Sequence, residues 1–196
     1  MRLFHFSDNP SINIFIPRPV SVSVQRPSGM EWLNGPLVWA IDSEYQSMYL
    51  FPRECPRILL WAIPETKTED YDYWWQGSSS KILAYIEEVW LERVQNETIY
   101  RYEMPSSSFG DIGDAGMWVS KVAVKPLQLD TLSDLPDAHQ EHDIELRVLD
   151  NLLPLKGVWR SSLHASGIRL RNAKHWGKPG WTHSKRNRVV PVTKSD

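Results

Sequence analysis

A histidine and a serine two residues apart on a short aromatic strand are the first groups in the chain able to do chemistry. In "LFHFS", alternation puts Leu3, His5 and Ser7 on one face and Phe4 and Phe6 on the other. One imidazole nitrogen of His5 can be fixed by the backbone while the other meets a ligand hydroxyl. Ser7 can donate or accept beside it. Arg18 and Arg53 can meet phosphates as planar forks. Tyr45 and Tyr49 stand four apart, so both can line one side of a short helix and stack on a flat heteroaromatic ring. A cleft built from these groups would hold a nucleotide. On residue types alone, a satisfied core histidine and packed tyrosines are the commoner outcome.

Other clusters are weaker. His139 and His142, with Glu141 and Asp143, have a spacing compatible with a metal. They sit at a charged helix end, where histidines are usually exposed, and no metal is expected. His164, Ser166, Arg169 and Arg171 lie together in "SLHASGIRLRN", where the two arginines share a face if the segment is extended. They offer either an anion site or surface charge. His5, His164 and Asp8 would make an acid–base set for nucleotide hydrolysis if they converged. The chain has no P-loop, GxGxxG, HExxH or GxSxG signature.

The elements that must position these groups read as follows. "RLFHFS" is a strand closed by the turn "SDNPS", and "INIFI" is a second short strand. "PRPVSVSVQRPSG" is an edge strand or extended loop. "PLVWAI" and "RILLWAI" are buried strands, with a short helix over "SEYQSMYLF" between them, capped by Asp42 or Ser43. "KILAYIEEVWLERVQ" has helical spacing from Ile82 through Val94 and predicts the longest helix. "TIYRYEMP" is a strand, and "MWVSKVAVKPLQLD" supplies one or two. "LSDLPDAHQEHD" is a short helix capped by Ser133, and "IELRVLDNLLPL" is a strand then a turn. "SSLHASGIRLRNA" is a last strand or a helical turn. The class is α+β, with mixed or antiparallel sheets and few helices.

Composition bounds the rest. The chain has 196 residues, ten tryptophans, seven tyrosines and a net charge of −2. That length suits one domain, expected over residues 1–173, followed by a basic and disordered tail over residues 174–196. Before Arg169 acids outnumber bases, which makes nucleic acid an improbable partner. Cys55 is the only cysteine, so no internal disulfide can form. With no signal-like or membrane-length apolar run, the expected location is the cytoplasm.

Five stretches carry a resemblance: "FHFSDNPSINIFIPR", "EWLNGPLVWAID", "MYLFPRECPRI", "DAGMWVSKVAVKPL" and "SLHASGIRLRNA". They resemble the blocks of an uncharacterised bacterial family of unknown function that spans nearly all of the chain except its basic tail. More distantly, the front half resembles ADP-ribosyltransferase-like proteins. Those open with His-Gly-Ser or His-x-Thr on a first strand, then "F-x-P-R", then an apolar strand and a tyrosine-bearing helix. His5-Phe6-Ser7, "IFIPR", "LVWAID" and Tyr45 or Tyr49 match in turn. The resemblance implies NAD as ligand, held by the histidine at a ribose and by the tyrosine at the nicotinamide. It also implies an acid that steadies a cationic transition state. Related sequences place Glu before "W-[VI]-S", where this chain has Met117. Glu103 or Asp114 could substitute, though neither matches the position. The expectation is a degenerate nucleotide-binding relative. The alternative is a non-catalytic interaction module that uses its basic tail.

Overall fold

Alternation in Leu3–Ser7 (β1) sends its two faces into different layers. Phe4 enters an apolar layer with Ile41, Leu59 and Ile86, whereas Leu3 enters another with Phe15, Val38 and Tyr102. The computed structural model describes residues 1–23 and 25–177, and among them ten strands and three short α-helices occur. The strands after β1 are β2 (Val38–Asp42), β3 (Arg57–Trp61), β4 (Ile82–Glu87), β5 (Ile99–Met104) and β6 (Gly110–Asp111). They continue with β7 (Met117–Ser120), β8 (Gln128–Leu132), β9 (Ile144–Leu149) and β10 (His164–Ile168). The helices are α1 (Thr68–Trp75), α2 (Leu91–Asn96) and α3 (Leu135–Glu141).

Two sheets form. The first runs β6-β7-β2-β1-β5-β8, antiparallel throughout. The second runs β10-β3-β4-β9, antiparallel except for the parallel β4–β9 pair. The α+β class with mixed and antiparallel sheets is therefore observed. The layer between the sheets joins Phe4 and Ile41 to Leu59, Ala84 and Ile86. The far side of the second sheet buries Ile58, Leu60 and Leu83 under Trp75 of α1, Val158 and Trp176. On the far side of the first sheet, residues 8–20 fold over Tyr102. Its hydroxyl donates to the Asn9 carbonyl at 2.7 Å and accepts from the Ile12 amide at 3.1 Å.

Several sequence expectations are corrected. The long helix over residues 81–95 is instead β4, a 3-10 turn over Glu88–Trp90 and α2. Its apolar residues recur at helical spacing, but Leu83, Ala84 and Ile86 are all fully buried, with Leu83 on one face and the other two on the opposite one. A central strand needs that two-sided burial, and packing between β3 and β9 overrides the helical pattern. The helix expected over "SEYQSMYLF" shortens to a 3-10 segment, Gln46–Tyr49, which no side chain caps; Asp42 instead closes the turn before it, accepting from the Glu44 and Tyr45 amides. "INIFI" contributes only the bridge Phe15↔Val124, and the Pro-rich loop after it only Arg18↔Leu37. The cap of α3 is Asp134, which accepts from the Asp137 amide, rather than Ser133.

The expected tail begins at Lys174. Its amide donates to Glu87 at 2.8 Å, and Trp176 is buried against the second sheet. Residues 178–196 lie outside the described residues. Among the described residues no helix is long and apolar enough to cross a membrane.

Gly116, which joins the turn before β7 to β2, has a φ of +71°. A Cβ there would stand 2.5 Å from Tyr45 Cδ2 and 2.8 Å from the Asp42 carboxylate. Both the backbone conformation and the close approach require glycine. Gly116→Ala is expected to destabilise the fold by about 2–4 kcal/mol in urea unfolding, from strain plus overpacking. A change below about 0.5 kcal/mol would show that Tyr45 and Asp42 move aside freely.

Candidate functional site

β1 pairs with β5 along its whole length but with β2 only at Leu3↔Asp42 and Phe4↔Ile41. Beyond Phe4 the two strands part. The imidazole of His5 spans the gap, with Nδ1 2.8 Å from the Trp39 carbonyl oxygen. A carbonyl only accepts, so Nδ1 carries the proton and Nε2 of the neutral ring is an acceptor. The ring packs on Phe15 with centroids 4.6 Å apart. Burial lowers its pKa to about 4, the Trp39 bond opposes that shift, and the Arg53 charge adds to it. His139 Nδ1 is the one sealed, unpartnered side-chain nitrogen or oxygen among the described residues, so His5 Nε2 is not sealed. Ser7 is buried and closes the turn after β1 by accepting from the Asn9 amide at 3.1 Å.

Phe6 points to the other face of β1. Its ring stacks on Tyr49 at 6.0 Å, and the Tyr49 hydroxyl donates to Met117 Sδ at 3.5 Å. Burial raises the Tyr49 pKa. The Arg57 and Arg169 charges oppose that rise, and Asp114 adds to it. Tyr45 lies 5.9 Å from Trp61, which stacks on His164 at 4.1 Å. His164, Ser166 and Ile168 of β10 stand opposite Trp61, Leu59 and Arg57 of β3, on the face turned to the first sheet. An aromatic region thus lies between the sheets, bounded by the β7–β2 side of one and the β10 edge of the other.

Arginines gather at one end of it. Arg57 is 2% exposed, yet among the described residues no carboxylate pairs with it. Its Nε donates to the Met48 carbonyl at 2.8 Å and its Nη1 to the Cys55 carbonyl at 3.0 Å. The guanidinium lies 5.5 Å from the Tyr49 ring and 5.0 Å from the Phe51 ring. Burial lowers its pKa to about 10, so the cation persists at neutral pH. Arg53 is exposed and donates to the Phe6 carbonyl at 3.4 Å. Arg169 follows the last β10 residue in a left-handed conformation, φ 55°, so it and Arg171 do not share a strand face. Both reach Glu54, at 3.5 and 2.8 Å.

The structure thus brings Tyr45, Tyr49, Arg53 and Arg169 to one region and places His5 and Ser7 on the opposite face of β1. His5 and His164 are separated in the same way, on different sheets. Arg18 is tied to Leu37 at the start of β2, whereas Tyr45 follows that strand's end. Glu103 is held by Arg2 at 2.6 Å; that hydrogen bond keeps its carboxyl below the usual range against a small opposing effect of burial. Asp114 accepts from the Met117 amide through its own carbonyl at 2.9 Å. His139 is 2% exposed, against the expectation of an exposed pair. Its Nε2 donates to the Leu50 carbonyl at 2.6 Å and its ring packs on Phe51. A cleft of about 400 Å³ beside Trp32 and Lys121 contains none of the expected site residues. Arg57 and Trp61 escaped the sequence reading: within "CPRILLW" they read as ordinary strand residues.

The depressed His5 pKa gives stability a defined pH dependence. An unfolded histidine binds a proton near 6.5 and the folded ring only near 4, so acid favours unfolding. The contribution is complete above pH ~6.5, falls between ~6.5 and ~4, and is constant below that. Relative to His5→Asn, which keeps a donor for Trp39 without titrating, the native chain is expected to lose about 1–3 kcal/mol more across that window, its partial exposure allowed for. Urea midpoints that fall in parallel for both proteins would refute the assignment.

No curated protein and no solved structure matches this chain. It matches the family of unknown function DUF6886 over residues 4–173, nearly all of its described length. The chain belongs to that family.

Proposed function

We propose that the region between the sheets binds a nucleotide of the NAD or ADP-ribose type, and binds it without transferring ADP-ribose. The observation that carries this reading is the gathering of Tyr45, Tyr49, Trp61, Arg53 and Arg169 on the inner face, where β1 parts from β2 after Phe4; His5 lies on the opposite face of β1. A flat heteroaromatic ring suits the tyrosine side, where offset stacking adds to burial. Arg53 and Arg169 supply positive charge beside Tyr49.

Binding rather than transfer follows from Met117. Its thioether accepts the Tyr49 hydroxyl where the resemblance calls for a carboxylate. A thioether cannot stabilise developing positive charge as an anion does. Glu103 is committed to Arg2. The fold is accordingly read as a degenerate ADP-ribosyltransferase-like one.

Calorimetric titration with NAD and with ADP-ribose tests this. Saturable binding is expected, weakened about five- to tenfold by Tyr45→Leu through loss of a ring stack. Lys121→Gln, in the separate Trp32 cleft, is expected to leave affinity unchanged. Nicotinamide release from NAD is expected to stay at the background rate. No heat with either ligand at millimolar concentration would contradict the binding reading, and release above background would contradict the absence of transfer.

A further inference from the structure

Arg57 poses a physical problem. A guanidinium taken out of water is costly unless an anion or a full set of acceptors meets it. Here two carbonyls take Nε and Nη1, and two ring faces sandwich the plane. Nη2 has no protein acceptor, yet it is not sealed, because the one sealed and unpartnered side-chain nitrogen or oxygen among the described residues belongs to His139. The fold thus places at one of its most buried positions a cation with one guanidinium nitrogen that no group among the described residues accepts.

The surroundings repeat the sign. The Arg169 charge adds to the lowering of Arg57 by burial, and the Arg171 and Arg53 charges add to the lowering of Arg169 by burial. The backbone holds them there: Arg169 Nε donates to the Arg53 carbonyl at 3.3 Å, and Arg169 accepts a left-handed φ of 55° to do so. A non-glycine residue in that region costs on the order of a kilocalorie per mole and persists only where the surroundings impose it. Glu54 is shared within this group: Arg171 and Asn172 bond it at 2.8 and 3.0 Å and Arg169 reaches it at 3.5 Å, while the Asp114 charge also acts on Tyr49. The Glu54 pKa falls because the Asn172 bond and the arginine charges outweigh burial. Arg53, Arg57, Arg169 and Arg171 against Glu54 and Asp114 leave positive charge in excess near the Tyr49 ring.

We propose that Arg53, Arg57 and Arg169 form a binding site for a phosphate or diphosphate group at this end of the region between the sheets. Planar forks suit phosphoryl oxygens, and a dianion balances the charge that Glu54 leaves over. Trp61 and His164 lie at the opposite ends of β3 and β10 from Arg57 and Ile168, roughly 13 Å away by strand rise. A ligand that filled both ends would carry its phosphoryl group near Tyr49 and an aromatic ring near Trp61. The site deepens the nucleotide reading and rests on the same region between the sheets, but it can be tested without a nucleotide.

The test is a thermal-shift and calorimetric titration of the full chain with sodium pyrophosphate, against sodium chloride at matched ionic strength. The native chain is expected to gain a saturable stabilisation from pyrophosphate alone. Arg53→Gln and Arg169→Asn are the informative variants: the first side chain is exposed, and asparagine tolerates the left-handed backbone. Combined, they are expected to weaken pyrophosphate binding at least tenfold. Arg57→Met should weaken it further, with circular dichroism to confirm folding. Stabilisation no greater than that of chloride, or equal stabilisation of the double variant, overturns the proposal. If pyrophosphate binds as described and NAD does not, the anion site stands and the nucleotide reading falls. If NAD binds native and double variant equally and pyrophosphate binds neither, the anion site falls alone.

Discussion

One buried cation organises the centre of this protein. The Arg57 guanidinium ties together the 3-10 segment that carries Tyr49, the loop that carries Cys55, and the first residue of β3. Each of its two carbonyl bonds satisfies an acceptor in irregular backbone, where no strand or helix partner exists. Its ring contacts fix Tyr49 and Phe51 on either side. Burial pushes the neighbouring Cys55 thiol up to about 12, and the Arg57 charge offsets that only in part, so the thiol stays protonated and unreactive.

The second constraint is the early parting of β1 and β2. A sheet that pairs two residues and then opens must satisfy the freed backbone groups by other means. His5 takes the Trp39 carbonyl and Arg53 takes the Phe6 carbonyl, so side chains replace ladder bonds on both lips. The histidine between two phenylalanines is thereby explained. Its neighbours on the strand fill the layer between the sheets, while the imidazole closes the outer face against Phe15.

How much of this could be read from the residues varies with how local the cause is. β1, its face assignment and its closing turn are set by alternation and by Ser7 and Asn9 within a few positions, and were legible. β10 was legible only as a strand or a helical turn, because Gly167 and the left-handed Arg169 blur the pattern. β4 was misread, since burial on two faces comes from neighbours far away in the chain. His139 sits in a charged sequence, and only the packing of α3 on the loop after β2 buries it. Tyr45, Tyr49, Arg53 and Arg169 were singled out from residue type and resemblance. Arg57 was not, because nothing near it in sequence reveals that distant carbonyls and rings will enclose it.

The proposed ligand is phosphorylated and ring-bearing, and would sit between the sheets at Tyr49 and Arg57. Chemical-shift mapping on isotopically labelled protein with ADP-ribose addresses that most directly. The result that supports it is a saturable set of shifts at Tyr45, Tyr49 and the Arg57 and Arg169 side-chain Nε–H groups. Shifts gathered instead around Trp32 and Lys121, or none at saturating ligand, would contradict it.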